Sequence, residues 1–147
     1  MTGRAGDDNV FQLMRAARDV YRDTVREALE RVGCDDIPRS ALFVLAGLDH
    51  GAPESVFSPQ ADVVASLGLS KQAASQLIDT LVVRDYFERR NDPTDRRRME
   101  LRLTARGRTA AIAINEAIDA VDATVARVIT AEEHDGFRAG LAAYRAV

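Results

Sequence analysis

Soft and imidazole ligands are scarce in this chain. One cysteine, Cys34, and two histidines, His50 and His134, are spread over 147 residues. A lone cysteine forms no internal disulfide, and the trio is too sparse for a dedicated zinc site. Neither a metal nor a cross-link is expected to hold the fold. No apolar run approaches the ~18 residues that span a bilayer. The opening MTGRAGDDN has no signal-peptide core. No membrane partner is expected, and the cytoplasm is the expected compartment. Also missing are GxSxG, a P-loop and GxGxxG. The acid pairs Asp35-Asp36 and Glu132-Glu133 fall at helix boundaries, where capping accounts for them. The expectation is a non-enzyme without a cofactor.

Lysine is as scarce as cysteine. Lys71 stands alone beside 19 arginines, a bias typical of GC-rich coding, so the arginine total says little by itself. Apolar residues make up 46% and charged residues 29%, ordinary values for one soluble domain. The net charge of −3 argues at first against nucleic acid, but its distribution matters more. Between Arg84 and Arg108 nine arginines face five acids, an excess of +4 that leaves −7 elsewhere. A basic module on an acidic body still attracts phosphate locally.

Periodicity lays out a mainly helical chain with one small hairpin. Residues 1–7 are polar and expected to fray. Val10, Met14, Ala17, Tyr21, Val25, Ala28 and Val32 predict a long helix over 8–31, stopped at Gly33. A second helix is expected from Pro38 to Asp49. Ser58-Pro59 reads as an N-cap and first helical residue, starting a short helix to Ser66 that buries Val63, Val64 and Leu67. Gly68 suits a tight turn, and Ser70 caps the next helix, to Arg84. Ala74, Leu77, Ile78, Leu81 and Val82 form its buried stripe. Tyr86–Arg90 and Met99–Leu103 read as paired strands around the turn Asn91-Asp92-Pro93-Thr94. Thr104 caps a long helix to about 129, with a 4-3-4-3 seam of Ile114, Ile118, Val121, Val125 and Val128. Thr130 and Glu133 form a capping box that opens a last helix, with Phe137, Leu141 and Tyr144 on one face.

The 70–84 helix carries the sharpest signal. As an isolated feature it is a surface helix with a solvated polar face. Its N-terminal half, Ser70, Lys71, Gln72, Ala73, Ser75 and Gln76, is also what a major-groove helix needs. The side chains are small or amide-bearing, acids are absent, and free N–H groups at the helix start face phosphate. Asp79 is the dissenting residue, expected at the rim or holding an arginine. The run Asp95-Arg96-Arg97-Arg98 would by itself be a charged surface. At the tip of a ribbon following such a helix it becomes a wing that can enter the minor groove. Asp95 is expected to fix the tip rather than bind phosphate.

Residues 67–107, LGLSKQAASQLIDTLVVRDYFERRNDPTDRRRMELRLTARG, resemble the MarR family of winged helix-turn-helix regulators, with DPTDRR and LTARG as the wing pattern. The flanking long helices extend the resemblance over nearly the whole chain. It implies one domain over 8–147, with 8–33 and 108–147 as a helical dimerisation lobe and 38–107 as the DNA-binding lobe. It implies a homodimer on a pseudo-palindromic duplex, acting as a regulator, most often a repressor. Gln72, Ala73, Ser75 and Gln76 would face the major groove, Arg97 the minor groove, and Arg96 phosphate. A small aromatic or phenolic effector is also implied, with Tyr21, Phe43 and His50 as candidate lining. Two positions depart from the family's habit: Asp85 stands for a glycine and Val64 for an alanine. Asp tolerates the left-handed region, so the first departure is mild.

Two alternatives remain beside this reading. Winged helices also dock proteins, but such a module should expose apolar residues where this one carries arginines and amides. A cysteine-based redox sensor is the other. Cys34 lies beside Asp35 and Asp36, whose charges disfavour the thiolate that sensing needs.

Overall fold

The computed structural model of the chain describes residues 9–46, 56–59, 69–91, 95, 97 and 99–144. Its elements in order are α1 (Val10–Arg31), a 3-10 turn (Arg39–Ala41), α2 (Leu42–Ala46), β1 (Val56–Pro59), α3 (Lys71–Val83), β2 (Phe87–Asn91), β3 (Met99–Leu103), α4 (Ala105–Val125) and α5 (Ala131–Ala143). No described helix is long and apolar enough to cross a membrane.

Compact packing divides the chain into two units, Met1–Thr24 with Glu116–Val147, and Val25–Asn115. Both divisions fall inside α1 and α4 rather than at the helix ends. The 25–115 unit holds most of the core. Val25, Leu29, Ile37, Leu45, Ala74, Leu77, Ile78, Leu81, Tyr86, Phe87, Leu101, Leu103 and Ile114 are all buried within it. Four of the five α3 stripe residues named from sequence are buried, and Val82 is half-buried. Each such aliphatic side chain contributes roughly 1.5–3 kcal/mol by leaving water.

The sheet has three antiparallel strands in the order β1-β3-β2, where sequence suggests a hairpin of two. Phe87 pairs with Leu103 and Asn91 with Met99, so the β2–β3 ladder runs through all five positions. On the other side Val56 pairs with Arg102 and Pro59 with Glu100, with an irregularity between. Ser58 and Pro59 therefore end an edge strand and do not start a helix. Proline is tolerated at an edge, where one side of the backbone needs no ladder bond. Pairing with β3 overrides the local Ser-Pro signal. The remainder of the expected 58–66 helix, Gly68 and the turn 92–94 lie outside the described residues.

Three other boundaries move. Pro38 precedes a 3-10 turn instead of opening an α-helix, and the expected end at Asp49 lies outside the described residues. The first hairpin strand starts at Phe87, one residue later than expected. Helix α4 stops at Val125 because Arg127 and Val128 donate to carbonyls three residues back, at 3.3 and 2.9 Å, tightening the chain into turns. The Thr130–Glu133 capping box is present in both directions, with Thr130 N–H to Glu133 Oε2 at 2.8 Å and Glu133 N–H to Thr130 Oγ1 at 3.2 Å.

The LTARG segment has a direct structural reason. Leu103 ends β3 in the core. Thr104 N–H donates to the Tyr86 carbonyl at 3.1 Å, and its hydroxyl accepts Gly107 N–H at 2.9 Å. Gly107 lies so close to β2 that a Cβ there would stand 2.0 Å from the Tyr86 carbonyl oxygen. Only glycine lets the first turn of α4 approach the strand backbone this closely. Asp85, the residue standing for a glycine, adopts φ 60°.

Candidate nucleic-acid interface

Helix α3 presents the face that its sequence announces. The Ser70 hydroxyl accepts Ala73 N–H at 3.2 Å, so this side chain serves as N-cap. Lys71, Gln72, Ala73 and Gln76 are exposed and Ser75 is half-buried. Leu77, Ile78 and Leu81 hold the opposite side in the core. The helix is thereby fixed by its apolar stripe, and its amides are left facing out.

The dissenting acid on this face is accounted for. Asp79 accepts from the Arg89 guanidinium, which projects from β2. The pair neutralises Asp79 and ties α3 to the wing. On the other face of the ribbon, register sets Glu88 opposite Arg102 and Arg90 opposite Glu100. Arg90 lies 2.9 Å from Glu88 and Arg102 lies 3.7 Å from Glu100. Both ion pairs run along a strand, and charges of opposite sign alternate over this face.

Two further arginines are held by acceptors of the fold itself. Arg84 donates to the Asp36 backbone carbonyl. Arg106 donates to the Asp36 carboxylate at 2.9 Å, to the Arg84 carbonyl at 2.9 Å and to the Gly33 carbonyl at 3.2 Å. Its guanidinium carbon stands 4.6 Å over the Tyr86 ring. The Tyr86 hydroxyl donates to Asp36. That hydrogen bond, with the nearby Arg106 and Arg84 charges, holds the Asp36 carboxyl below its ordinary range. Burial and the same bond push the Tyr86 hydroxyl up. Arg108 donates to the Leu103 carbonyl at 3.0 Å.

The positive excess counted over 84–108 is thus not a diffuse field. Away from the ribbon tip, these arginines meet acids or carbonyls of the fold itself. At the tip, Arg97 is exposed, and its backbone N–H donates to the Asp95 carboxylate at 3.0 Å. Asp95 therefore shapes the turn through the Arg97 backbone. Arg96 and Arg98 lie outside the described residues.

Of the candidate effector residues, Tyr21 alone has a described side chain. The Tyr21 hydroxyl donates to Asp122. Burial, first, and this bond to a carboxylate push its pKa up to about 12. The Phe43 side chain and His50 lie outside the described residues. Cys34 is buried, and its thiol points to the Val32 carbonyl at 3.7 Å. Among the described residues no cluster of His, Cys, Asp or Glu could hold a metal ion.

Sequence reading missed Arg106 and the partner of Asp79. No local pattern reveals Arg106, because its three acceptors lie 22, 70 and 73 residues away in the chain. Strand β1 did leave a signal, since Val56 and Phe57 are both strand formers.

Comparison with known proteins places this geometry. No curated protein matches the chain in sequence. Among solved structures, the Staphylococcus aureus MepR–DNA complex superposes with a TM-score of 0.73 at 21% identity, over 95% of this chain and 98% of that one. S. aureus MepR bound to ethidium bromide gives 0.61 at 20% identity, over 97% and 98%. RV1404 from Mycobacterium tuberculosis gives 0.69 at 19% identity, over 99% and 98%. The family model described as "MarR family" matches residues 35–98, the stretch that runs from the Asp36 turn to the wing tip. Residues 35–98 are thus similar to the MarR family, and the chain shares the fold of these solved structures.

Proposed function

We propose that this protein is a sequence-specific, double-stranded-DNA-binding transcription regulator, acting as a repressor and as a homodimer. One observation carries the reading. An exposed, amide-bearing face of α3 adjoins a ribbon whose tip offers Arg97, while the arginines behind it are engaged within the fold. Gln72, Ala73, Ser75 and Gln76 would read base edges in the major groove. Ser70 and Lys71 would meet phosphate at the helix start. Arg97 would enter the minor groove, with Arg96 beside it. The existence of an S. aureus MepR–DNA complex with this fold supports the assignment.

Burial supports the dimer. Of the 21 buried apolar residues among those described, only Ala117 and Val121 belong to the unit of Met1–Thr24 and Glu116–Val147. Among the described residues that same unit carries nine of the fourteen large apolar side chains left exposed, Phe11 at 76% and Val128 at 78% among them. A helical unit with so little core of its own suits a second copy as its cover. A dimer would set two α3 helices about one helical turn apart, ~10 bp between half-site centres. Release by a small aromatic ligand belongs to the same reading, with Tyr21, Phe43 and His50 as candidate contacts. The solved complex of MepR with ethidium supports it.

Selection of random duplexes by the purified protein, read against salt, tests the function. An enriched inverted repeat is the expected result. A folded, dimeric protein that enriches nothing would reject DNA recognition and favour protein docking.

A further inference from the structure

We propose that Arg106 is a positioning residue for the recognition helix: it sets where α3 sits without touching DNA. The inference rests on the DNA-binding reading above. Arg106 comes from the first turn of α4, and its fork reaches three acceptors in two separate segments. One nitrogen donates to the Arg84 carbonyl, at the C-cap of α3, at 2.9 Å. The other donates to the Gly33 carbonyl, just beyond α1, at 3.2 Å, and to the Asp36 carboxylate at 2.9 Å. Both carbonyls lie at helix C-termini, where unpaired acceptors and the partial negative charge of the helix favour a cation. The plane of the guanidinium also covers the Tyr86 ring, and Tyr86 begins the path into the wing.

Arg84 and Tyr86 close the arrangement from the other side. The Arg84 side chain donates to the Asp36 carbonyl and the Tyr86 hydroxyl to the Asp36 carboxylate. The turn 33–36, the C-terminus of α3 and the start of α4 are therefore joined at one guanidinium. Lysine would keep the charge but lacks the planar fork for three acceptors and the flat face for the ring. Side chains that read base edges need a supporting shell that locks their helix in place. Loosening the C-terminus of α3 should blur base readout while leaving phosphate attraction intact.

The test uses the full chain with Arg106→Gln and Arg106→Lys. Each variant is titrated with the selected inverted repeat and with random duplex over a range of salt, and its amide exchange is followed. Both variants should unfold cooperatively. They should lose roughly tenfold in affinity for the selected repeat, about 1.4 kcal/mol, with affinity for random duplex and the salt slope unchanged. The amides of Cys34, Asp85 and Tyr86, bonded to Leu29, Val82 and Leu81, should exchange faster. An equal loss on both duplexes with a shallower salt slope would make Arg106 a phosphate contact and overturn the proposal. So would unchanged discrimination, or full rescue by lysine. If the wild-type protein selects no duplex, the DNA reading falls on its own. The exchange result then still judges the clamp, and unchanged protection at 84–86 overturns it.

Discussion

Single residues divide into those whose role is local in sequence and those whose partners are remote. Ser70 as cap and Asp85 in the left-handed region are legible because the cause lies within a few positions. Asp79 is half legible: an acid on the amide-bearing face of α3 calls for a counter-charge, but nothing local designates Arg89. Arg97 is the tip residue most exposed to test. Arg97→Ala should weaken duplex binding and reduce the salt slope by about one unit, measured by titration at several salt concentrations. An unchanged slope would remove Arg97 from the interface. Gly107→Ala opposes two effects. Alanine gains up to ~1 kcal/mol of helix propensity, but its Cβ meets the Tyr86 carbonyl at 2.0 Å. Overpacking against backbone costs ~1–3 kcal/mol or more, so the variant should be less stable in urea unfolding. Asp36 supplies a pH test. Its carboxyl is held low in the fold, chiefly by the Tyr86 hydroxyl, so its contribution is present above the unfolded value of ~3.9. It is lost as pH falls through the lower folded value. Asp36→Asn should flatten the acid limb of Tm against pH below about 4, and an unaltered limb would show that Asp36 is not linked to folding.

At the scale of elements, helices with strong periodicity and caps were readable to within a few residues at each end. Those predicted from two-residue signals were not. The stripe of α3 and the box at Thr130 specify their helices from within. The Ser58-Pro59 signal failed because an edge strand satisfied its backbone through β3, at partners more than 40 residues away. Pro38 precedes a 3-10 turn, and as its N-cap it supplies no side-chain hydrogen bond. Helix α5 depends on its cap more than the others do. It has 13 residues and none is buried, a length that is marginal for an isolated helix. Thr130→Ala removes a cap contribution of ~0.5–2 kcal/mol. The Glu133 and His134 amides should then exchange faster, while those of α3 keep their rates. Equal acceleration in both helices would mean that the cap acts on global stability.

For the whole molecule, the sequence disclosed a mainly α chain with a winged module. The 114–128 seam is covered along only part of its length. Ile114 and Val121 are buried, whereas Val128 is open. The exposed apolar surface is concentrated instead on α1 and α5, where Phe11, Leu13, Phe137 and Tyr144 are all at least half exposed. Periodicity reveals an apolar stripe but not whether its cover comes from the same chain. If a second copy covers it, Leu141→Asp should lower the mass seen by sedimentation to that of one chain, and preference for inverted repeats should vanish with it. A dimer of undiminished mass would move the interface off α5.

The internally paired arginines have a kinetic consequence. A protein that scans a genome is slowed by every phosphate it can hold away from its target. Here the basic segment is largely occupied by its own acids and carbonyls, and the remainder of the chain carries −7. On the DNA-binding reading, few counterions are displaced on random duplex, so lingering there is brief. Discrimination between sites, rather than general adhesion to DNA, would then govern how many copies a cell must keep to hold one target occupied.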